Sequence, residues 1–158
     1  MATAKQKPPV DSGLPKLDDF LCFATYSANL AFNRVYKPVL DELGLTYPQY
    51  IVLVALYEQD DQTVSGLGDK LFLDSSTLTP LLKRMESMGH LTRQRNPEDE
   101  REVRLRLTQQ GRSVREKVAL ARGELLKATG LGVADFRRLR DEMVKLRANL
   151  SNAVGSKP

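Results

Sequence analysis

Two sets of side chains in this sequence are equipped for chemistry. The first is a cluster of hydroxyls and cations: Ser75, Ser76, Thr77 and Thr79, followed by Lys83 and Arg84. Hydroxyls reach base edges or phosphate oxygens, and an adjacent lysine and arginine hold backbone phosphates, so the group suits nucleic acid. More arginines follow at Arg93, Arg95, Arg101, Arg104 and Arg106, and Asp99, Glu100 and Glu102 interrupt them. That interruption describes a shaped site and not a polybasic tail. The second set is Cys22, the single thiol in 158 residues. An ionised thiol is a nucleophile and a redox centre, whereas a lone cysteine on an apolar helix face is often an inert, buried hydrophobe. His90 is the one histidine and no Cys/His cluster accompanies it, so neither a metal site, nor a cofactor, nor a histidine-based triad is expected.

The hydroxyl cluster needs a helix to present it. Asp74 or Ser75 can cap its start by accepting hydrogen bonds from free N–H groups. Leu78, Leu81, Leu82 and Met85 then recur at i, i+3, i+4 and i+7, one apolar stripe with the polar group opposite. Pro80 is placed near the first turn, where a missing N–H loses little. Gly89-His90 ends the helix. Leu91 to Arg95 and Glu102 to Thr108 read as two strands around a charged turn, with Val103, Leu105 and Leu107 on one side. Helix then hairpin is a winged helix-turn-helix order, with the helix in the major groove and Arg101 carried to the minor groove. An ordinary amphipathic helix beside a solvated hairpin fits the periodicity equally well.

The remaining chain supplies the scaffold. Residues 1–16 are polar, include Pro8 and Pro9, and read as a disordered tail. Leu17 to Lys37 is expected as a long helix that Pro38 breaks or kinks, with a last turn over Val39 to Leu43 closed by Gly44. Thr46 or Tyr47, then Pro48, starts an apolar helix carrying Ile51, Val52, Val54 and Leu56. Val64 to Leu71 is the first helix of the helix-turn-helix, with Leu67 and Leu71 inward. Thr108 to Gly111 opens a helix to about Thr129, and a last helix runs from Val133 to Asn152. In it Phe136, Leu139, Met143, Leu146 and Leu150 alternate by three and four, as in a coiled-coil seam. Such a seam at the end of a chain this short implies a homodimer that offers two recognition helices to a palindromic double-stranded operator; packing within its own chain is the alternative. The expected architecture is mainly α with a small β-hairpin wing. Residues 17–45 and 109–153 form a helical dimerisation region, and residues 46–108 form the winged helix-turn-helix.

Composition narrows the setting. A net charge of +4 permits nucleic-acid binding without requiring it. No apolar run approaches the roughly 18 residues that span a membrane, and the N-terminus lacks the apolar core of a signal peptide. A single thiol fits the reducing cytoplasm.

Three segments carry a resemblance: Leu73-Asp74-Ser75-Ser76-Thr77-Leu78-Thr79-Pro80-Leu81-Leu82-Lys83-Arg84, the wing Asp99-Glu100-Arg101, and Leu45-Thr46-Tyr47-Pro48-Gln49-Tyr50. With Leu21-Cys22-Phe23-Ala24 and Tyr26-Ser27-Ala28-Asn29-Leu30-Ala31, they make the sequence similar to the MarR family of bacterial repressors over residues 17–150. Within it the sequence resembles the OhrR branch, the organic hydroperoxide resistance regulators. The resemblance implies a non-enzymatic repressor in which Cys22 senses organic hydroperoxides, hydrogen-bonded by Tyr36 and Tyr47 of the partner subunit. Elementary geometry agrees: fourteen residues along one helix is about 21 Å, so Cys22 meets Tyr36 when two such helices cross antiparallel. Phenol donors would stabilise the thiolate, the reactive form. The resemblance also implies DNA contacts for Ser75, Ser76, Thr77, Thr79, Lys83, Arg84, Arg93, Arg95, Asp99 and Arg101. There is one departure. Some members carry a second, resolving cysteine, and Lys127-Ala128-Thr129 stands in that region here. Oxidised Cys22 would therefore become a sulfenic acid, then a mixed disulfide with a small thiol or an overoxidised acid. Three alternatives remain at this point. One is a MarR-type repressor released by a non-covalent phenolic or other small ligand, with Cys22 as packing. Another is a thiol peroxidase turning over at Cys22. The third is an architectural DNA binder without a switch.

Overall fold

Gly44 sets the first corner of the fold. With φ of +64° it closes helix α1 (Leu21–Leu43) in the left-handed region, which costs glycine nothing. The computed structural model describes residues 15–99 and 101–155, so the tail expected over residues 1–16 falls almost wholly outside the described residues. Leu17–Asp19 is a 3-10 turn, and α1 starts four residues later than the sequence suggests. Pro38 does not break it: the helix runs through to Leu43. Helix α2 (Tyr47–Glu58) begins from Thr46, whose N–H donates to Gln49 Oε1 at 2.9 Å in a capping box.

A two-residue strand β1 (Gln62–Thr63) precedes helix α3 (Val64–Leu71), whose cap Thr63 accepts from the Gly66 N–H. Helix α4 (Ser75–Ser87) follows, then β2 (Leu91–Arg95) and β3 (Val103–Leu107). The expected hairpin is in fact the larger part of a three-stranded antiparallel sheet ordered β1-β3-β2, with Gln62 opposite Leu105 and Leu91 opposite Leu107. Two residues are too few for an alternating pattern, which is why β1 leaves no mark in the sequence. The helix expected from Thr108 to Thr129 is two, α5 (Gln109–Ser113) and α6 (Arg115–Thr129), separated at Val114. The last, α7, spans Val133–Val154.

One core joins these elements. Leu53 and Leu56 of α2, Leu67 of α3, Leu78, Leu82 and Met85 of α4, and Leu91 and Leu105 of the sheet are all at most 1% exposed. Each such side chain contributes about 1.5–3 kcal/mol by leaving water. Tyr36 and Leu40 of α1 and Val118 and Ala121 of α6 belong to the same cluster, so the long helices and the winged unit share an interior. Close approach sets the helix-turn-helix geometry: a Cβ on Gly68 would sit 3.0 Å from the Leu73 carbonyl oxygen. Phe72 turns the chain between α3 and α4 with φ of +57°, and the Arg147 guanidinium of α7 lies 3.9 Å from its ring centre. No single helix among the described residues is long and apolar enough to cross a membrane.

Candidate functional site

Helix α4 divides as its stripe requires. Leu78, Leu82 and Met85 are buried, while Ser75, Ser76, Thr77, Lys83 and Arg84 are exposed and Thr79 is half-buried. Asp74 is the cap. Its Oδ1 accepts the Thr77 N–H at 2.8 Å and the Ser76 hydroxyl at 2.6 Å, and these hydrogen bonds hold its carboxyl below the usual range. Pro80 is the sixth helical residue, one turn deeper than expected. Lacking an N–H, it leaves the carbonyl of exposed Ser76 without its helical donor.

The wing is braced by ion pairs that join distant parts of the chain. Arg104 donates from Nε to Asp61 Oδ1 at 2.8 Å and from its terminal nitrogens to Glu102 at 3.0 Å and the Asp61 carbonyl at 2.6 Å. Arg106 reaches Asp61 Oδ2 at 3.0 Å. Arg106 and then Arg104 hold the Asp61 carboxyl down to about 2. Two arginines of the basic run are thus committed inside the chain. Arg93 is half-buried, its N–H donating to Glu86 Oε1 at 3.0 Å, while Arg95 and Arg101 are exposed. At the turn, Asp99 Oδ1 accepts the Arg101 N–H at 3.0 Å, and the Asp99 carbonyl accepts the Glu102 N–H at 2.9 Å. Asp99 therefore shapes the turn from which Arg101 projects.

Cys22 lies in the first turn of α1, exposed. Tyr36, near the far end of the same helix, is buried against α2. Its ring centre is 5.2 Å from that of Tyr47 and 5.2 Å from that of Tyr50, and Tyr47 and Tyr50 are 5.9 Å apart. Burial pushes all three phenols up. They stay protonated and able to donate. The fold thus brings Tyr36 and Tyr47 together and keeps Cys22 of the same chain away, about 21 Å along α1. Tyr50 is a third member of the ring cluster that the sequence reading did not single out; its spacing of three from Tyr47 on one helix was the available signal. His90 is buried, and burial holds its imidazole below the ordinary value. Among the described residues no group of His, Cys, Asp and Glu side chains could hold a metal ion.

The surface near Cys22 is apolar and uncovered. Leu21, Ala24, Ala28 and Phe32 of α1 face Phe136, Leu139 and Met143 of α7 across a cleft of about 490 Å³. Leu139 is 53% exposed and Leu150 59%, and α7 has no buried residue. Among the described residues the seam is only partly covered: Phe136 and Leu146 are half-buried, and Leu139, Met143 and Leu150 stay exposed.

Residues 34–118 match the family model of the SarA/Rot transcriptional regulators. The HTH-type transcriptional regulator TtmR of Methylorubrum extorquens is 44% identical over 89% of this chain and 72% of its own length. The organic hydroperoxide resistance transcriptional regulator of Bacillus subtilis is 42% identical over 85% of this chain and 92% of its own. Among solved structures, reduced AbfR bound to DNA superposes with a TM-score of 0.75 at 32% identity, covering 87% of this chain and 94% of that one. These relatives are named as transcriptional regulators and not as enzymes. With a winged helix-turn-helix core, a lone thiol opening the first helix and this likeness over most of its length, the chain belongs to the MarR/SarA family of winged helix-turn-helix transcriptional regulators, in the branch of the organic hydroperoxide resistance regulators.

Proposed function

We propose that the protein is a homodimeric repressor of the bacterial cytoplasm that holds a palindromic operator when reduced and releases it when an organic hydroperoxide oxidises Cys22. The observation that carries this reading is the separation of thiol and phenols on one helix. Cys22 is exposed at one end of α1, and the Tyr36–Tyr47 pair is held at the other by α2. Antiparallel crossing of two α1 helices completes two sites at once, and the uncovered faces of α1 and α7 supply the apolar surface for it.

At the thiol, the Cys22 sulfur attacks the terminal peroxide oxygen. An S–O bond forms as the O–O bond breaks, and the alkoxide leaves and takes up a proton as the alcohol. Sulfur is oxidised to the sulfenic acid and the peroxide is reduced. A small thiol then attacks that sulfur, forming a mixed disulfide and releasing water. The bulkier, uncharged sulfur loses its phenol donors, α1 shifts, and the spacing of the two α4 helices changes. A shift of about 3 kcal/mol weakens operator binding roughly a hundredfold.

On the DNA side, Ser75, Ser76, Thr77 and Thr79 face the bases, and Lys83 and Arg84 hold phosphates. Arg93 and Arg95 line the wing, and Arg101, fixed by Asp99, enters the minor groove. The bracing of Arg104 and Arg106 by Asp61 keeps the wing at one angle. Arg101→Ala reduces affinity and lowers the slope of log affinity against log salt by about 2, one for each subunit of the dimer; an unchanged slope removes Arg101 from the interface.

Subunit mixing tests the shared site. Cys22→Ser chains carry intact tyrosines, and chains with Tyr36→Phe and Tyr47→Phe carry the thiol. Mixed dimers hold one complete site only if thiol and phenols come from different subunits. Peroxide then oxidises Cys22 faster in the mixture than in the double-phenylalanine homodimer. Equal rates would contradict a shared site.

A further inference from the structure

We propose that helix α7 is the lever that carries a change at Cys22 to the recognition helix α4, and that it acts through Arg147 on the ring of Phe72. The inference rests on the reading in which oxidation of Cys22 releases the operator. Near its start α7 lies across the thiol end of α1, where Phe136, Leu139 and Met143 face Leu21 and Ala24, on either side of Cys22, in the apolar cleft. One turn beyond Met143, the Arg147 guanidinium stands over the Phe72 ring, 3.9 Å from its centre. Phe136 and Arg147 are about 16 Å apart along one continuous helix. A single element therefore bears on both the first turn of α1 and the turn that leads into α4. The contact is made with Cys22 a free thiol.

Phe72 is an unusual residue for its place. Its φ of +57° is a left-handed conformation that glycine takes freely and a bulky side chain rarely adopts. Its neighbours Leu71 and Leu73 pack against the core, whereas its own ring turns out of it and is 49% exposed. A large ring held there, outside the core, has a use where α7 covers it. Arg147 is free to do so. The residues three and four away on α7 are Met143, Val144, Leu150 and Ser151, none a carboxylate, and Arg147 makes no ion pair among the described residues. The electron-rich face of the ring attracts the guanidinium. When oxidation displaces α1, α7 moves with it, the guanidinium leaves the ring, and the turn before α4 loses its prop. Arg147 and Phe72 are positioning residues, since they act through the placement of α4.

The test is operator affinity of the full-length protein, reduced and after one equivalent of cumene hydroperoxide with a small thiol, while intact mass follows the oxidation of Cys22. Arg147→Met keeps a long side chain and removes the cation; Phe72→Leu keeps an apolar side chain and removes the ring face. Each weakens reduced binding about tenfold, a factor of about three for each of the two contacts in a dimer. Oxidised binding, the rate of Cys22 oxidation and the salt slope stay as in the native protein. The loss of affinity on oxidation therefore shrinks from roughly a hundredfold to about tenfold. Arg147→Lys and Phe72→Tyr keep most of the native response. Arg147 is exposed, so its variants keep the fold whatever Phe72→Leu does. A loss as large in Arg147→Met as in the native protein overturns the lever and leaves the Cys22 switch standing. A native protein that holds the operator after oxidation overturns both. Equal weakening of reduced and oxidised binding, with a lower salt slope, makes Arg147 a phosphate contact and overturns the lever. A defect in Arg147→Met that lysine does not restore overturns the role of the cation.

Discussion

Gly111→Ala destabilises the protein by about 3 kcal/mol or more, far beyond the usual cost of adding one methyl. A Cβ at Gly111 would stand 2.0 Å from the carbonyl oxygen of His90 and 3.0 Å from its carbon. Both contacts are backbone, so no side chain can swing aside. The junction is also bonded throughout: the Gly111 N–H donates to Thr108 Oγ1 at 3.0 Å, and the Thr108 N–H to the His90 carbonyl at 3.1 Å. Tyr57 on α2 adds a hydrogen bond to the Gly111 carbonyl at 2.5 Å. This corner joins the end of α4, the base of the wing and the start of α5, so its displacement moves the wing as well as loosening the core. Thermal unfolding at fixed protein concentration reports a midpoint lower by about 10 °C. A midpoint within about 2 °C of the native value would show that the corner yields without cost.

The second large effect concerns α7. Leu139→Asp with Met143→Asp places two carboxylates on the coiled-coil seam. Both positions are exposed in the single chain, Leu139 at 53% and Met143 at 39%, so the subunit's own core is untouched. Two subunits facing each other there would bury unpaired charge, which costs several kcal/mol. The variant sediments as a monomer, and operator affinity falls about 10²–10⁴-fold, because one recognition helix no longer brings the other to its half-site. A variant that stays dimeric and binds as tightly as the native protein would place the dimer contact elsewhere.

The sequence announced those parts of the fold whose signals are local. Asp74 before the stripe of Leu78, Leu82 and Met85, the Thr46–Gln49 pairing, and glycine at 44 and 130 mark helix ends through the hydrogen bonds each residue type makes. What the sequence hid depends on residues far apart in the chain. Strand β1 exists because Gln62 and Thr63 pair with Leu105 and Arg104. Arg104 and Arg106 read as free cations until Asp61, 43 and 45 residues earlier, is seen to hold them. The proposed thiol site was legible in part. Cys22, Tyr36 and Tyr47 followed from resemblance, whereas the packing of Tyr50 against the two tyrosines needed the ring distances, because a tyrosine on an apolar helix reads as core.

A limited peroxide challenge isolates the reversible oxidation of a thiol from irreversible overoxidation. The most direct measurement is fluorescence anisotropy on an operator selected from random duplexes. The reduced protein is followed before and after one equivalent of cumene hydroperoxide per subunit, with a small thiol present and Cys22→Ser alongside. The account predicts that the native protein leaves the DNA, that dithiothreitol returns it, and that the serine variant remains bound throughout. Release of both proteins, or of neither, would contradict it and remove Cys22 as the switch.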